Sequence, residues 1–409
     1  MQPLLRDLFI SFRNVTRQKR RSGLGVAAVA FGVIALLEAG GFIEWATSSL
    51  REDTIHSMLG HLQVVRAGYY ESGFADPFAY LLPDDSPALK LAQRTPGVVI
   101  VAPRLDFNGL ISIGETTVPF VGQGMDPTKE VELNTGTAIM AGQTLSADDP
   151  KGIIVGQGLA ANLGVKVGEP ITLLANTATG SMNGVEGRVR GVFKTSIKAY
   201  DDAVLRVPLS MARQLLRVSG SHVWVILLKD TGATAATVAA LAPQMAAQKL
   251  QIVPWYDLAD FYNKSVELFK QQVAVIKSII TVIIVLCISN TLTLSVMERT
   301  GEIGTSMALG LRRRNILQQF IGEGMVIGII GSIAGVAVGI ILAKFISSLG
   351  IPLPPPPGTT KNLAAQIWIT PNLALNAALL ATVTTALAAI YPALKGARMM
   401  IVDALRFNR

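Results

Sequence analysis

The chain has 409 residues, half of them hydrophobic and only 16% charged, with a mean hydropathy of +0.45. That balance excludes an ordinary soluble globular protein and fits a chain that spends much of its length in a membrane. The net charge of +8 does not point to nucleic acid, because the basic residues gather beside apolar runs, as the positive-inside bias requires, rather than on one aromatic-interleaved face.

Residues 1–22 carry Arg6, Arg13, Arg17, Lys19, Arg20 and Arg21 against Asp7, with Leu4, Leu5, Leu8, Phe9 and Phe12 at helical spacing. This predicts an amphipathic helix on the cytoplasmic face of the membrane. A first span follows at 23–48, just long enough to cross about 30 Å at about 1.5 Å per residue. The long basic lead and the lack of a clear A-x-A site favour a retained span over a cleaved signal peptide. Within it Glu38 is costly, on the order of 2.5–3.5 kcal/mol for an unpartnered charge at mid-membrane. Either it pairs within a helix bundle or sits near the outer interface, or, with Glu44 and Trp45, it forms a substrate gate.

Residues 49–265 have ordinary polarity and read as an extracytoplasmic domain. Two strand–helix–strand units, at about 60–105 and 220–255, predict an α+β base, and the alternating segments between about 106 and 215 predict a β-rich insert. The only cysteine, Cys287, lies in an apolar run, so no intrachain disulfide is available; a domain of roughly 200 residues has core enough without one.

Residues 266–296 predict a stalk and second span without a glycine or proline to break them. With the amphipathic stretch from Tyr256 the helix could reach about 60 Å, at about 1.5 Å per residue. A charged segment, 297–316, separates it from a third span at 317–349. There Gly324, Gly328, Gly331, Gly335 and Gly339 fall on one stripe and predict a helix-packing seam. Glu323, at the cytoplasmic end, could hold the elbow of the charged segment. An outer loop at 350–370 contains the stiff Leu353–Gly358 turn. A fourth span at 371–394 and a basic tail at 395–409 complete the expectation: a four-span α-helical membrane domain, both termini cytoplasmic, with one large α+β domain outside. No phosphate-binding G-x-x-x-x-G-K-[ST] loop, G-x-S-x-G elbow or H-E-x-x-H pair occurs, and His56, His61 and His222 lack ligand spacing. The chain is therefore expected to be no enzyme on its own and to hold no metal or cofactor.

The sequence ERTGEIGTSMALGLRRRNI at Glu298–Ile316 resembles the E-R-x-x-E-I-G-x-x-R-A-L-G-x-x-R segment of permease subunits in type VII ABC transporters, the FtsX/MacB/lipoprotein-releasing superfamily. YPALKGARMMIVDALR at Tyr391–Arg406 is similar to that family's ending. GHLQVV after the first span, and the segments at Gly158–Leu174 and Gly191–Leu216, lean towards the lipoprotein-releasing branch, though Ile197 stands where that branch has glycine. The resemblance implies a MacB-type periplasmic core domain in a bacterial inner-membrane permease, paired with a second copy or a paralogue. It further implies a cytoplasmic ABC ATPase dimer that binds ATP and magnesium, coupled through Glu298, Arg299, Glu302, Ile303, Gly304, Met307, Leu309, Gly310 and Arg312. Met307 departs from the family arginine, which would either lose a charge contact to the ATPase or shift it to Arg312–Arg314. The implied activity is mechanotransmission: extraction of an amphipathic substrate, lipoprotein or lipid foremost, from the outer leaflet or periplasm, with an adaptor or lipoprotein carrier as further partner. Tripartite efflux of drugs or peptides, and an FtsX-like relay to a cell-wall hydrolase, are the alternatives.

Overall fold

The computed structural model describes residue 13 and residues 19–400, apart from 74, 134, 136, 196 and 354–362. Most of the expected N-terminal amphipathic helix, the proline run after Leu353, and the tail from residue 401 with Arg406 lie outside the described residues. The chain divides into two compact units, Ser48–Ser265 with Pro354–Leu363 and the remainder.

Helix α1 (Lys19–Thr54) runs past the expected span, because no glycine or proline interrupts residues 42–59, and widens into one π-turn at Ile55–Leu59. Gly60 ends it with φ of 65°, and a Cβ there would collide with Val225.

The sheet unit begins with β1 (Leu62–Arg66), α2 (Pro87–Arg94), β2 (Val98–Ile113), β3 (Thr116–Met125) and β4 (Ala138–Gly142). It continues through β5 (Gly152–Gly156), β6 (Pro170–Asn176), β7 (Met182–Lys194) and β8 (Val204–Pro208). It ends with α3 (Leu209–Leu216), β9 (Val223–Leu228), α4 (Thr234–Ala246) and β10 (Leu250–Pro254). Strands β10, β1, β9 and the first half of β2 form an antiparallel layer. One face of that layer packs Leu62, Val64, Trp224 and Ile226 against Ala88 and Ala92 of α2 and Leu241 and Met245 of α4. The other face, with Val65, Val223 and Val225, covers Ile55 and Trp255. All six residues of β9 are therefore buried, which is why it reads as an unbroken apolar run rather than an alternating one.

The second half of β2 belongs to a closed ring. β2 pairs β3, β3 pairs β8, β8 pairs β5, β5 pairs β7, β7 pairs β6, and β6 returns to β2. Closure removes the sheet edges within the ring, and its inward residues, among them Phe107, Ile111, Phe120, Val155, Leu173 and Leu205, pack with Met211 and Leu215 of α3. The base and insert expected from the sequence thus share one sixteen-residue strand instead of meeting at a boundary near residue 106. Pro103 lies within that strand. It is tolerated because residues 98–103 pair only with β9, leaving the side without an N–H unpaired.

The other unit holds α5 (Asp260–Glu298), α6 (Thr300–Ala308), α7 (Arg313–Ser348), α8 (Pro371–Ala388) and α9 (Ile390–Ala397). The expected helix from Tyr256 is broken at Ala259, where Trp255 is buried and packs edge-on to Tyr262 at 5.0 Å. From Asp260 it is continuous for 39 residues, about 58 Å at about 1.5 Å per residue. The described residues contain four helical stretches long and apolar enough to cross a membrane, Arg20–Leu59, Asp260–Glu298, Arg313–Ser348 and Pro371–Ala397. Ile280, Ile284, Ile288 and Leu292, four residues apart on α5, pack with Val29, Val33 and Leu37 of α1 and with Ala381 and Ala388 of α8.

Candidate coupling surface and membrane carboxylate

Between α5 and α7 the chain makes an elbow. Arg299 leaves helical geometry (φ −97°, ψ 13°), and its side chain fixes the bend. Nη1 donates to Oε1 of Glu323 at 2.8 Å, Nε reaches Glu302 at 3.3 Å, and the guanidinium lies 5.8 Å from the Phe320 ring centre. Glu323 is 3% exposed, so losing Arg299 would remove the counter-ion of a buried carboxylate, at a cost of about 3 kcal/mol. Glu298 pairs with Arg21 of α1.

Helix α6 has an inner and an outer face. Thr300, Ile303, Gly304 and Met307 are buried, the last packed with Val296, Ile316, Phe320, Ala393 and Ala397. Met307, Ile303 and Gly304, expected among partner-contacting residues, are therefore packing residues here. Met307 is an unbranched side chain filling the space under the helix. Glu302, Thr305 and Leu309 point outward, and Leu309 is 85% exposed. The helix ends in a Schellman motif: Leu311 N donates to Ser306 O and Gly310 N to Met307 O, both at 3.0 Å, with Gly310 at φ 95°. A side chain there would be strained, so the glycine sets the turn. The exposed surface thus presents Glu302, two leucines at 309 and 311, and the three exposed arginines Arg312, Arg313 and Arg314.

The glycine stripe of α7 divides between two partners. Gly324 and Gly328 approach Thr385 and Ala389 so closely that a Cβ at Gly328 would strike the Thr385 hydroxyl. Gly331, Gly335 and Gly339 approach Val29, Val33 and Leu37 of α1.

Of the suggested gate residues, Glu38 is half-buried, and neither carboxylate oxygen has a hydrogen-bond partner among the described residues. Trp45 is buried, with its ring 5.6 Å from Phe42, and lies two turns from Glu38 on the same side of α1. Glu44 is exposed and turned about 120° away, at about 100° per residue, so it does not join them.

In the sheet unit, sequence reasoning missed two buried arginines. Arg104 is bidentate to Glu130 (2.7 and 2.8 Å) and also donates to Met58 O. Arg206 donates to Ser57 O at 2.7 Å and lies 4.6 Å over the Phe193 ring centre. Both cations satisfy carbonyls at the C-terminal end of the π-turn, where the helix dipole is negative. The available signal was a charged residue inside each of two apolar strand patterns, VVIVAPRLDF and AVLRVP.

A helical membrane architecture of four candidate spans carrying an inserted sheet domain is the class this fold defines. The MacB-like periplasmic core domain family matches residues 22–244, and the FtsX-like permease C-terminal family matches residues 274–401. The chain belongs to the FtsX/MacB family of ABC-transporter permeases. The lipoprotein-releasing system transmembrane protein LolC of Neisseria meningitidis is 24% identical over 427 residues, 96% of this chain and 97% of that protein. The macrolide export ATP-binding/permease protein MacB of Marinobacter nauticus is 47% identical over 66 residues, 16% of this chain and 10% of that protein. The crystal structure of the periplasmic region of MacB from Actinobacillus actinomycetemcomitans is 13% identical with a TM-score of 0.37, covering 51% of this chain and 95% of that one.

Proposed function

We propose that this chain is the permease subunit of an ATP-driven mechanotransmission transporter in a bacterial inner membrane, and that it extracts a lipid-anchored protein or related amphiphile from the outer leaflet. The exposed coupling surface carries the reading. An apolar tip at Leu309 and Leu311 beside Glu302 and Arg312–Arg314, backed by a buried core, is what a cytoplasmic partner needs in order to push on α5 and α7 together. With no phosphate loop in the sequence, ATP and magnesium are assigned to a separate ATPase dimer, and a second copy or paralogue completes the permease. Basic residues Lys19–Arg21, Arg312–Arg314, Lys395 and Arg398 support a reading with those ends of the spans and both termini in the cytoplasm and residues 49–265 in the periplasm. Whole-length similarity to LolC favours lipoprotein cargo and a periplasmic carrier. The 66-residue likeness to MacB favours efflux through an adaptor as the second reading.

The test uses the full chain co-expressed with its cognate ATPase. Glu302→Lys and Leu309→Asp are each expected to reduce ATPase co-purification at least tenfold while membrane insertion is unchanged, since a central contact is worth about 2 kcal/mol or more. Unaltered co-purification and coupled hydrolysis in both variants would retire the coupling surface. ATP-dependent release of an acylated protein, but not its unacylated form, from spheroplasts separates lipoprotein extraction from efflux.

A further inference from the structure

The sheet unit contains a cavity of about 650 Å³ that the transport reading does not use. Its walls are aromatic: Tyr69, Tyr70, Phe78 and Phe107, with Asp106 and Gln123 on the floor. A second cavity of about 230 Å³ adjoins it and shares Tyr70, Asp106 and Gln123. The rings are held in place. Tyr69 stacks on His222 at 5.5 Å and meets Tyr70 edge-on at 5.2 Å, and Phe107 meets Phe120 edge-on at 5.7 Å. Tyr70 is tethered through its hydroxyl, which donates to Gln63.

The floor is oriented by a chain of hydrogen bonds. Arg206 Nη2 donates to the Tyr200 hydroxyl (3.2 Å), which donates to Gln123 Oε1 (2.5 Å), so that Gln123 Nε2 faces Asp106 Oδ1 at 3.4 Å. Asp106 forms no ion pair among the described residues, for Arg104, two positions earlier on β2, directs its guanidinium to Glu130. It is the one Asp, Glu, Lys, Arg or His lining the larger cavity. Burial raises the Asp106 pKa, and the nearby His222 and Arg104, the latter lining the smaller cavity but neutralised by Glu130, pull it down. A cationic group entering among the four aromatic rings would favour the ionised carboxylate further and gain both Coulomb and cation–π attraction.

We infer that this cavity binds a small organic cation, its amine or quaternary ammonium group against Asp106 and its apolar body among Tyr69, Tyr70, Phe78 and Phe107. The volume falls in the range of ligand pockets, about 300–1,000 Å³. Val121, 40% exposed, stands at the rim and leaves the entry open. The site is built within the sheet unit and shares no residue with the elbow at α6, so it stands or falls independently of the coupling surface.

The experiment measures fluorescence titration of dansylcadaverine, an amphipathic cation, against the full-length chain in nanodiscs of zwitterionic lipid, with anionic dansylglycine as the comparison. Wild-type protein is expected to give saturable binding of the cation only. Asp106→Asn is expected to weaken it at least tenfold, and Val121→Trp, which fills the entry, to abolish it. Should Asp106→Asn fail to fold, the rim variant decides alone. Equal affinity for the two probes, or wild-type affinity in either folded variant, would overturn the assignment.

Discussion

Leu228 donates its backbone N–H to Nδ1 of His61 at 3.1 Å, so that nitrogen is the acceptor and the proton of the neutral ring sits on Nε2. Nε2 lies 3.0 Å from the Thr231 hydroxyl, which in turn approaches both carboxylate oxygens of Glu52 at 3.3 and 3.4 Å. Protonating Nδ1 would set two N–H groups against each other in a site only 1% exposed. Burial first, and the neighbouring His56 second, lower the His61 pKa from 6.5 to about 4. The unfolded chain therefore takes up the proton near pH 6.5 and the folded one only near pH 4. His61 contributes its full stabilisation above about pH 6.5, loses it progressively as pH falls, and contributes none below about pH 4; the whole interval amounts to about 3 kcal/mol. Scanning fluorimetry of the full chain between pH 7.5 and 4.5 should show a decline in thermal midpoint that is markedly smaller in His61→Gln, whose amide keeps both hydrogen bonds and does not titrate. A decline of the same size in both proteins would remove His61 from the account. Nothing in GHLQVV announces this role, since a histidine in a strand pattern looks the same whether or not a distant backbone N–H meets it.

At the scale of elements, the glycines of α7 make packing testable. Gly328→Val would drive its branched side chain into Thr382 and Thr385 of α8, and Gly335→Val into Ala30 and Val33 of α1. Each should cost about 1–3 kcal/mol by overpacking, read as a lowered thermal midpoint in detergent. Gly23→Ala, at an exposed position on α1 with nothing within 4 Å of the new methyl group, should be neutral or stabilising by up to about 1 kcal/mol. If the valine variants melt with the wild type, the helices are not packed at these points. The stripe was legible in the sequence because helical spacing alone puts Gly324 to Gly339 on one side. That it serves two neighbours was not legible, because spacing says which residues share a face and not what lies against it. The same limit explains β2. Alternation marks Ile111–Ile113 as strand and the apolar run marks Val98–Val101, but only the pairing of Pro103 with β9 alone shows that one strand can run through both. For the elbow, motif and charge located Glu298–Arg314, whereas the inward turn of Met307 depended on Phe320 and Ala393, which lie far along the chain.

For the molecule as a whole, Glu38 is a position at which stability and transport can be tested apart. In a chain that only had to hold four spans together, a half-buried carboxylate with neither oxygen hydrogen-bonded among the described residues would be a liability, costing on the order of 2.5–3.5 kcal/mol if charged at mid-membrane. Leucine at that position should therefore raise the thermal midpoint. If the carboxylate meets the polar part of a cargo entering beside α1, the same Glu38→Leu variant should lose ATP-dependent cargo release several-fold while still assembling with its ATPase. Glu44 supplies the control, because it is exposed and lies about 120° around the helix at about 100° per residue, so Glu44→Leu should leave release near the wild-type rate. A more stable Glu38→Leu protein with undiminished release would show the carboxylate to be dispensable to transport, and would move the search for the cargo path away from α1.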